Sequence, residues 1–220
     1  MVRTSGPAAA IAGIAPGIQA QGVWMGRRQL FVRFAAEAET AVLYTAEMLA
    51  RHVGRVISQS PLHSISLSGR DPLASDDMIC ESLGQLQSPI PVMVDCYGER
   101  PEAVTRVAPH VSMVQVTVEF ATAPSSLDRA LASLVAAAAA GREHAAVLAP
   151  HDGTTDGQML WFIEQAHTAV PGTKIVIHPP AVDRTGGALD RRYASLMERA
   201  LAIHRDIALW LRVPGPVGAR

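Results

Sequence analysis

Gln29-Leu30-Phe31-Val32-Arg33-Phe34 is a short apolar run of strand character, and a stretch of helical character follows it from Thr40 to Val56. This pairing recurs along the chain. Further strand-like runs stand at Ser64 to Leu67, Val92 to Asp95, Met113 to Thr117, Ala145 to Ala149, Lys174 to Ile177 and Ala208 to Leu211. Helical stretches alternate with them at Asp76 to Leu86, Pro101 to Ala108, Leu127 to Ala140, Thr155 to Ala169 and Leu189 to His204. Ser75-Asp76-Asp77 and Pro124-Ser125-Ser126 supply side-chain oxygens suited to helix starts. Short apolar strands of this kind read as strands covered on both faces. Parallel neighbours need a crossover connection, which the helices provide, so the pattern gives an open doubly wound sheet or a partial barrel. The pattern alone leaves both open.

The chain has 220 residues, 49% of them hydrophobic, which is enough for one sizeable core. We expect residues 11–214 to form a single α/β domain, 1–10 to be a flexible N-terminal stretch and 215–220 a tail. With 19 basic against 20 acidic side chains, the total charge carries no field suited to nucleic acid, and no nucleic-acid partner is expected. The longest apolar stretch, Ala130 to Ala140, is alanine-rich and too short to cross a bilayer, so no membrane association is expected. Pro7, Gly13 and Pro16 interrupt the mildly apolar N-terminus and argue against a signal peptide, so a cytoplasmic protein is expected. Cys80 and Cys96 are too few for a disulfide framework or an all-cysteine metal site.

Doubly wound sheets and barrels both carry their working residues just past the carboxyl ends of the strands. Those positions hold Arg70, Asp71, Asp95, Glu119, His151, Asp152 and His178. Asp71, Asp95, Glu119, His151 and His178 are therefore the candidates for acid–base or divalent-metal chemistry of a lyase or hydrolase type. Ordinary caps and solvated loop residues are the plainer account of that list.

The N-terminal third is more specific. Gly17-Ile18-Gln19-Ala20-Gln21-Gly22, followed by Gly26 to Ala35, resembles the opening of the 7-carboxy-7-deazaguanine synthase branch of the radical SAM superfamily. Ser68-Gly69-Arg70-Asp71-Pro72-Leu73 is similar to that family's TGGEPL segment, and Asp95-Cys96-Tyr97-Gly98 to its ETNG segment. Val116-Thr117-Val118-Glu119 falls where the family carries its SPK element, and Leu211-Arg212-Val213-Pro214 resembles its closing strand. The resemblance implies an α/β fold, a partial (β/α)6-type barrel of parallel strands with outer helices. It also implies that Gln19, Gln21 and Arg33 bind substrate, with Arg33 meeting a carboxylate, and that Ser68, Asp71 and Asp95 face a cofactor.

At one point the chain departs from that pattern. The register set by Phe31 to Phe34 places Glu37, Ala41 and Tyr44 where the family has the three cysteines that hold its 4Fe-4S cluster. Carboxylate, methyl and phenol do not replace thiolates for iron–sulfur clusters. Ala46 replaces the family's magnesium-site threonine, and Arg70 a glycine that lets S-adenosylmethionine approach the backbone. No cofactor is therefore expected: no cluster, no metal, no tight binding of S-adenosylmethionine, and no radical carbon–nitrogen lyase reaction. The expected role is that of a small-molecule-binding or regulatory subunit for a carboxylate or pterin-like ligand. It would act as a homodimer or pair with a related, cluster-bearing subunit. The alternatives are the repurposed lyase or hydrolase outlined above and a purely structural protein with an occluded pocket.

Overall fold

The computed structural model describes residues 6–120, 124–180 and 187–210. Nine strands form one sheet: β1 (Ala8–Ile18), β2 (Arg28–Phe34), β3 (Val42–Thr45), β4 (Ser64–Gly69), β5 (Val92–Cys96), β6 (Met113–Glu119), β7 (Glu143–Ala149), β8 (Lys174–Ile177) and β9 (Ile207–Leu209). The helices are α1 (Ala46–Gln59), α2 (Asp76–Leu86), α3 (Pro101–Val107), α4 (Pro124–Ala139), α5 (Asp156–Ala169) and α6 (Gly187–Ile203). The strand order is β3-β1-β2-β4-β5-β6-β7-β8-β9. From β2 onward every pairing is parallel, whereas β1 runs antiparallel to both β2 and β3.

This order decides between the two architectures. A doubly wound sheet reverses direction at a switch point. Here the order from β2 to β9 never reverses, and each helix from α1 to α6 packs beside the next. The chain is a partial (β/α) barrel, left open because β3 and β9 are the two ends of the sheet.

The strands are not apolar on both faces. Leu30, Val32 and Phe34 of β2, Ile65 and Leu67 of β4, Val92, Val94 and Cys96 of β5, and Val114, Val116 and Val118 of β6 enter the main core with residues of the helices. The alternate positions carry Gln29, Arg33, Ser64, Ser66, Ser68, Asp95, Gln115, Thr117 and Glu119. A period of two separates these sets. One face is sealed by helices, and the other is the polar inside of the barrel. Among the largest fully buried core side chains are Phe162, Leu134 and Met159.

Two segments at the N-terminal end differ from expectation. β1 begins at Ala8, within the stretch 1–10 expected to be flexible, and its Ala- and Gly-rich composition gives little strand signal. Pro16 is accommodated because β3 pairs only with Ala8 to Ile11, leaving that part of β1 without a neighbour on its second side. The helix expected over Thr40 to Val56 is instead strand β3 followed by α1. Val42, Leu43 and Tyr44 favour extended backbone, and Thr45 ends the strand by accepting the Met48 N–H as helix cap at 3.3 Å. At the other caps, Ser75 makes no side-chain cap bond, and α4 starts at Pro124 itself. Leu211 and the Leu211–Pro214 segment lie outside the described residues, as does the tail 215–220.

Candidate functional site

The loop between β1 and β2, residues 19–27, is tied at its base by the Gln19 N–H to the Arg27 carbonyl and the Gly26 N–H to the Gln19 carbonyl, each 2.9 Å. It folds into the barrel from the end where the parallel strands begin. Val23 and Trp24 pack on Met93, Met113 and Ala145 of the inner face, and Trp24 meets His63 edge-on at 5.2 Å. Above this apolar stopper the interior turns polar. Gln29 donates to the Ser64 hydroxyl at 2.8 Å, and Gly22, with φ +77°, lies so close to Gln115 that a Cβ there would sit 1.8 Å from its Oε1. Only glycine fits under that amide.

Asp95 occupies the next level. It is the Cα partner of Gln115 across β5 and β6, and Thr117 Oγ1 donates to its Oδ1 at 3.5 Å. Burial pushes the carboxyl up to about 6, opposed by the nearby Gln115, Thr117, Gln19 and Gln21 side chains. Those amides are close enough to stabilise charge, yet their hydrogen bonding is incomplete. Gln19 Nε2 and both terminal atoms of Gln115 are buried with no partner in hydrogen-bonding geometry. A buried, unmatched amide is costly, and these two lie behind Asp95 and do not line the cavity.

A cavity of about 370 Å³ opens over Asp95 at the carboxyl ends of β2, β4, β5 and β6. Its walls include Gln21, Arg33, Ser68, Arg70, Tyr97 and Thr117. Arg33 forms an ion pair with Glu39 at 2.6 Å. Glu39 also accepts the Ala36 N–H at 3.0 Å, and that bond, more than Arg33, holds its carboxyl below the usual range. Arg70 lies over the Tyr97 ring at 5.0 Å and reaches Glu99 at 3.8 Å and Glu119 at 4.0 Å.

The candidates separate cleanly in space. Gln21, Arg33, Ser68 and Asp95 line the cavity, and Gln19 lies buried beside Asp95. Asp71 does not line it: Arg100 holds its carboxylate at 2.8 Å. Glu119 stands on the neighbouring rim with Arg70. His151 closes its own turn, accepting the Gly153 N–H at 3.0 Å. His178 is buried just past β8 and is not part of the cavity wall. Among the described residues no group of three or more His, Cys, Asp or Glu is placed to hold a metal ion, so these five do not form a metal centre. Gln115, Thr117, Tyr97 and Glu39 were missed as site residues. The alternation of polar and apolar positions along β5 and β6 was the signal that would have found the first three.

The fold and this pocket define a partial (β/α) barrel with a polar cavity at its mouth. No known family profile matches the chain. It is 30% identical over 118 aligned residues to the 7-carboxy-7-deazaguanine synthase of Methanothermobacter thermautotrophicus, a match spanning 47% of each protein. The matched stretch is thus about half of that relative's length. Its fold is that of QueE from Escherichia coli, with a TM-score of 0.60 and 12% identity over 94% of each chain. A truncated 3-deoxy-D-arabino-heptulosonate 7-phosphate synthase from Thermotoga maritima aligns with a TM-score of 0.41 and 13% identity, over 84% of this chain and 76% of that one. The chain is thus similar over about half its length to a 7-carboxy-7-deazaguanine synthase, and it shares the fold of QueE.

The residues present do not fit the 4Fe-4S cluster that the sequence resemblance implies. Glu37 is exposed in a turn, Ala41 is exposed and has no donor atom, and Tyr44 lies on β3 with its hydroxyl 2.9 Å from His52 Nδ1. The segment is drawn into the sheet edge by pairing with β1. Neither cysteine substitutes. Cys80 shares its thiol with the Arg106 carbonyl at 3.4 Å, and Cys96 faces the helices, where burial pushes its thiol up to about 12. Such a thiol is a poor source of thiolate. Arg70 spreads across the side of the mouth where a glycine would leave backbone open.

Proposed function

We propose that this chain binds a small heteroaromatic acid in the barrel mouth and performs no radical chemistry. The observation that carries this reading is the cavity itself. Buried amides with unused hydrogen-bonding atoms lie beside Asp95, and a guanidinium stands at the rim. A planar, permanently charged Arg33 suits a carboxylate, and its exchange of Glu39 for a ligand acid needs no new charge to be buried. The Gln21 amide and the Asp95 carboxyl at the cavity wall suit the edge of a nitrogen-rich ring, such as a pterin. Among the described residues no helix is long and apolar enough to cross a membrane.

The reading is tested by thermal shift and calorimetric titration with pterin-6-carboxylate. A ligand at about a hundred times its Kd adds about 2.7 kcal/mol, a rise of several degrees in Tm. Arg33→Ala is expected to weaken binding roughly 10- to 100-fold, the effect of removing a charged hydrogen-bonding partner. Unchanged affinity in that variant would remove Arg33 from the site. In parallel, anaerobic reconstitution with iron and sulfide is expected to leave no bound cluster by absorbance and iron assay. A stoichiometric 4Fe-4S cluster would overturn the non-radical half of the proposal.

A further inference from the structure

At the end of the barrel opposite the cavity, two helices finish side by side. α5 carries His167 in its last turn, and α6 is followed directly by His204, whose N–H bonds the Ala200 carbonyl at 2.8 Å. α5 leads into β8 and α6 into β9, so the two histidines stand where those parallel strands begin. Their Nδ1 atoms are 3.2 Å apart, and the rings meet edge-on with centroids 5.4 Å apart. The two residues are 37 apart in the chain, so no short motif announces them.

The far side of His204 is fixed. Its Nε2 lies 2.7 Å from the Thr173 carbonyl, which can only accept, so in the neutral ring Nε2 carries the proton and Nδ1 presents a lone pair. His204 is buried, whereas His167 is exposed. The His167 Nδ1–H fills that lone pair when nothing else does. Moving this proton to the other nitrogen of the exposed ring leaves two lone pairs that converge on one point.

Three features suit that point to a metal ion. A backbone carbonyl behind a histidine is the usual support of a metal-bound imidazole, because it fixes the tautomer and the ring orientation. Two nitrogens bound to one zinc ion at tetrahedral angles stand about 3.3 Å apart, close to the spacing found here. The carboxyl ends of two helices bring partial negative charge to the same place, which favours a cation. The solvent side, open around His167, leaves room for water as the remaining ligands.

We infer that His167 and His204 form a two-histidine site for a borderline divalent transition metal such as zinc, with water completing its coordination. The ion clasps the ends of α5 and α6. It thereby secures the sheet edge where β9 pairs with β8 and the Asp206 carbonyl accepts the Ile175 N–H at 2.9 Å. This site is separate from the cavity and does not depend on the ligand proposed for it.

Calorimetric titration of the full chain with zinc chloride at pH 7.5, alongside melting curves in zinc and in EDTA, tests the inference. Wild type is expected to take up zinc at this site and to melt higher in zinc than in EDTA. His167→Ala removes an exposed side chain, and its melting curve in EDTA confirms the fold. It is expected to bind zinc more weakly by roughly tenfold or more and to lose the zinc-dependent rise in Tm. No zinc uptake by wild type, or an affinity and a Tm rise unchanged in His167→Ala, would overturn the site and leave the two histidines as a hydrogen-bonded pair only.

Discussion

Asp95→Asn is expected to melt several degrees above wild type at pH 7.5 and to match it near pH 4. Burial pushes the carboxyl up to about 6 in the folded chain from its ordinary 3.8. Below the lower value both states hold the proton, and Asp95 contributes nothing to the difference. Between the two values the folded state keeps a proton that the unfolded state releases, so stability falls as pH rises through this window. Above the folded value the full penalty applies, about 3 kcal/mol. Asparagine has nearly the same shape and no charge, so it removes that penalty, which in a chain of this size corresponds to roughly 6–12 °C in Tm. The other carboxylates titrate alike in both proteins and cancel. Thermal melts of the pair from pH 4 to 7.5 read the difference directly. A gap that stays constant across that range, or a variant less stable at pH 7.5, would show that Asp95 is not a strained group.

Gly69→Ala is expected to be the most damaging substitution at the mouth. Gly69 ends β4 with φ +129°, a conformation that side chains rarely adopt, and it is the Cα partner of Phe34. A Cβ there would lie 2.2 Å from the Phe34 carbonyl oxygen and 3.0 Å from its backbone carbon and nitrogen. Backbone atoms cannot turn aside as a side chain can. β2 and β4 would have to part where Arg33 and Ser68 line the cavity. We expect a loss of more than about 3 kcal/mol, with ligand affinity falling along with it. Gly13→Ala is the control, since nothing lies within 4 Å of its added carbon and its φ is not in the left-handed range. Urea unfolding of both variants makes the comparison; a Gly69→Ala protein as stable as Gly13→Ala would mean that β4 ends differently.

Much of this fold could be read from the chain because each buried strand is brief and each helix follows at regular distance. β4 to β8 stand within a few residues of their expected places. The misreadings share a physical cause. β1 is built from Ala, Gly and Pro, and it becomes a strand only because β2 and β3 pair with it on its two sides. Val42 to Thr45 joins the sheet for the same reason. Both are long-range pairings that local pattern does not reveal. Taking the strands as apolar on both faces hid the alternation that sets Asp95, Gln115 and Thr117 inside the barrel. The family resemblance pointed to Gln19, Gln21 and Arg33, of which Gln21 and Arg33 line the cavity, whereas the list of strand-end residues mixed Asp95 with groups such as Asp71 that are held by neighbours outside the cavity.

The pairing of β3 with β1 bears on how the protein matures. A loop wrapped around an iron cluster takes its final shape only when the cluster is delivered, so its folding is tied to metal supply. Here the same part of the chain is fixed by backbone hydrogen bonds to Ala8 through Ile11, which the polypeptide supplies for itself. On the function proposed above, the mouth of the barrel forms as the chain folds, without a cluster-assembly pathway, and its ligand meets a finished site.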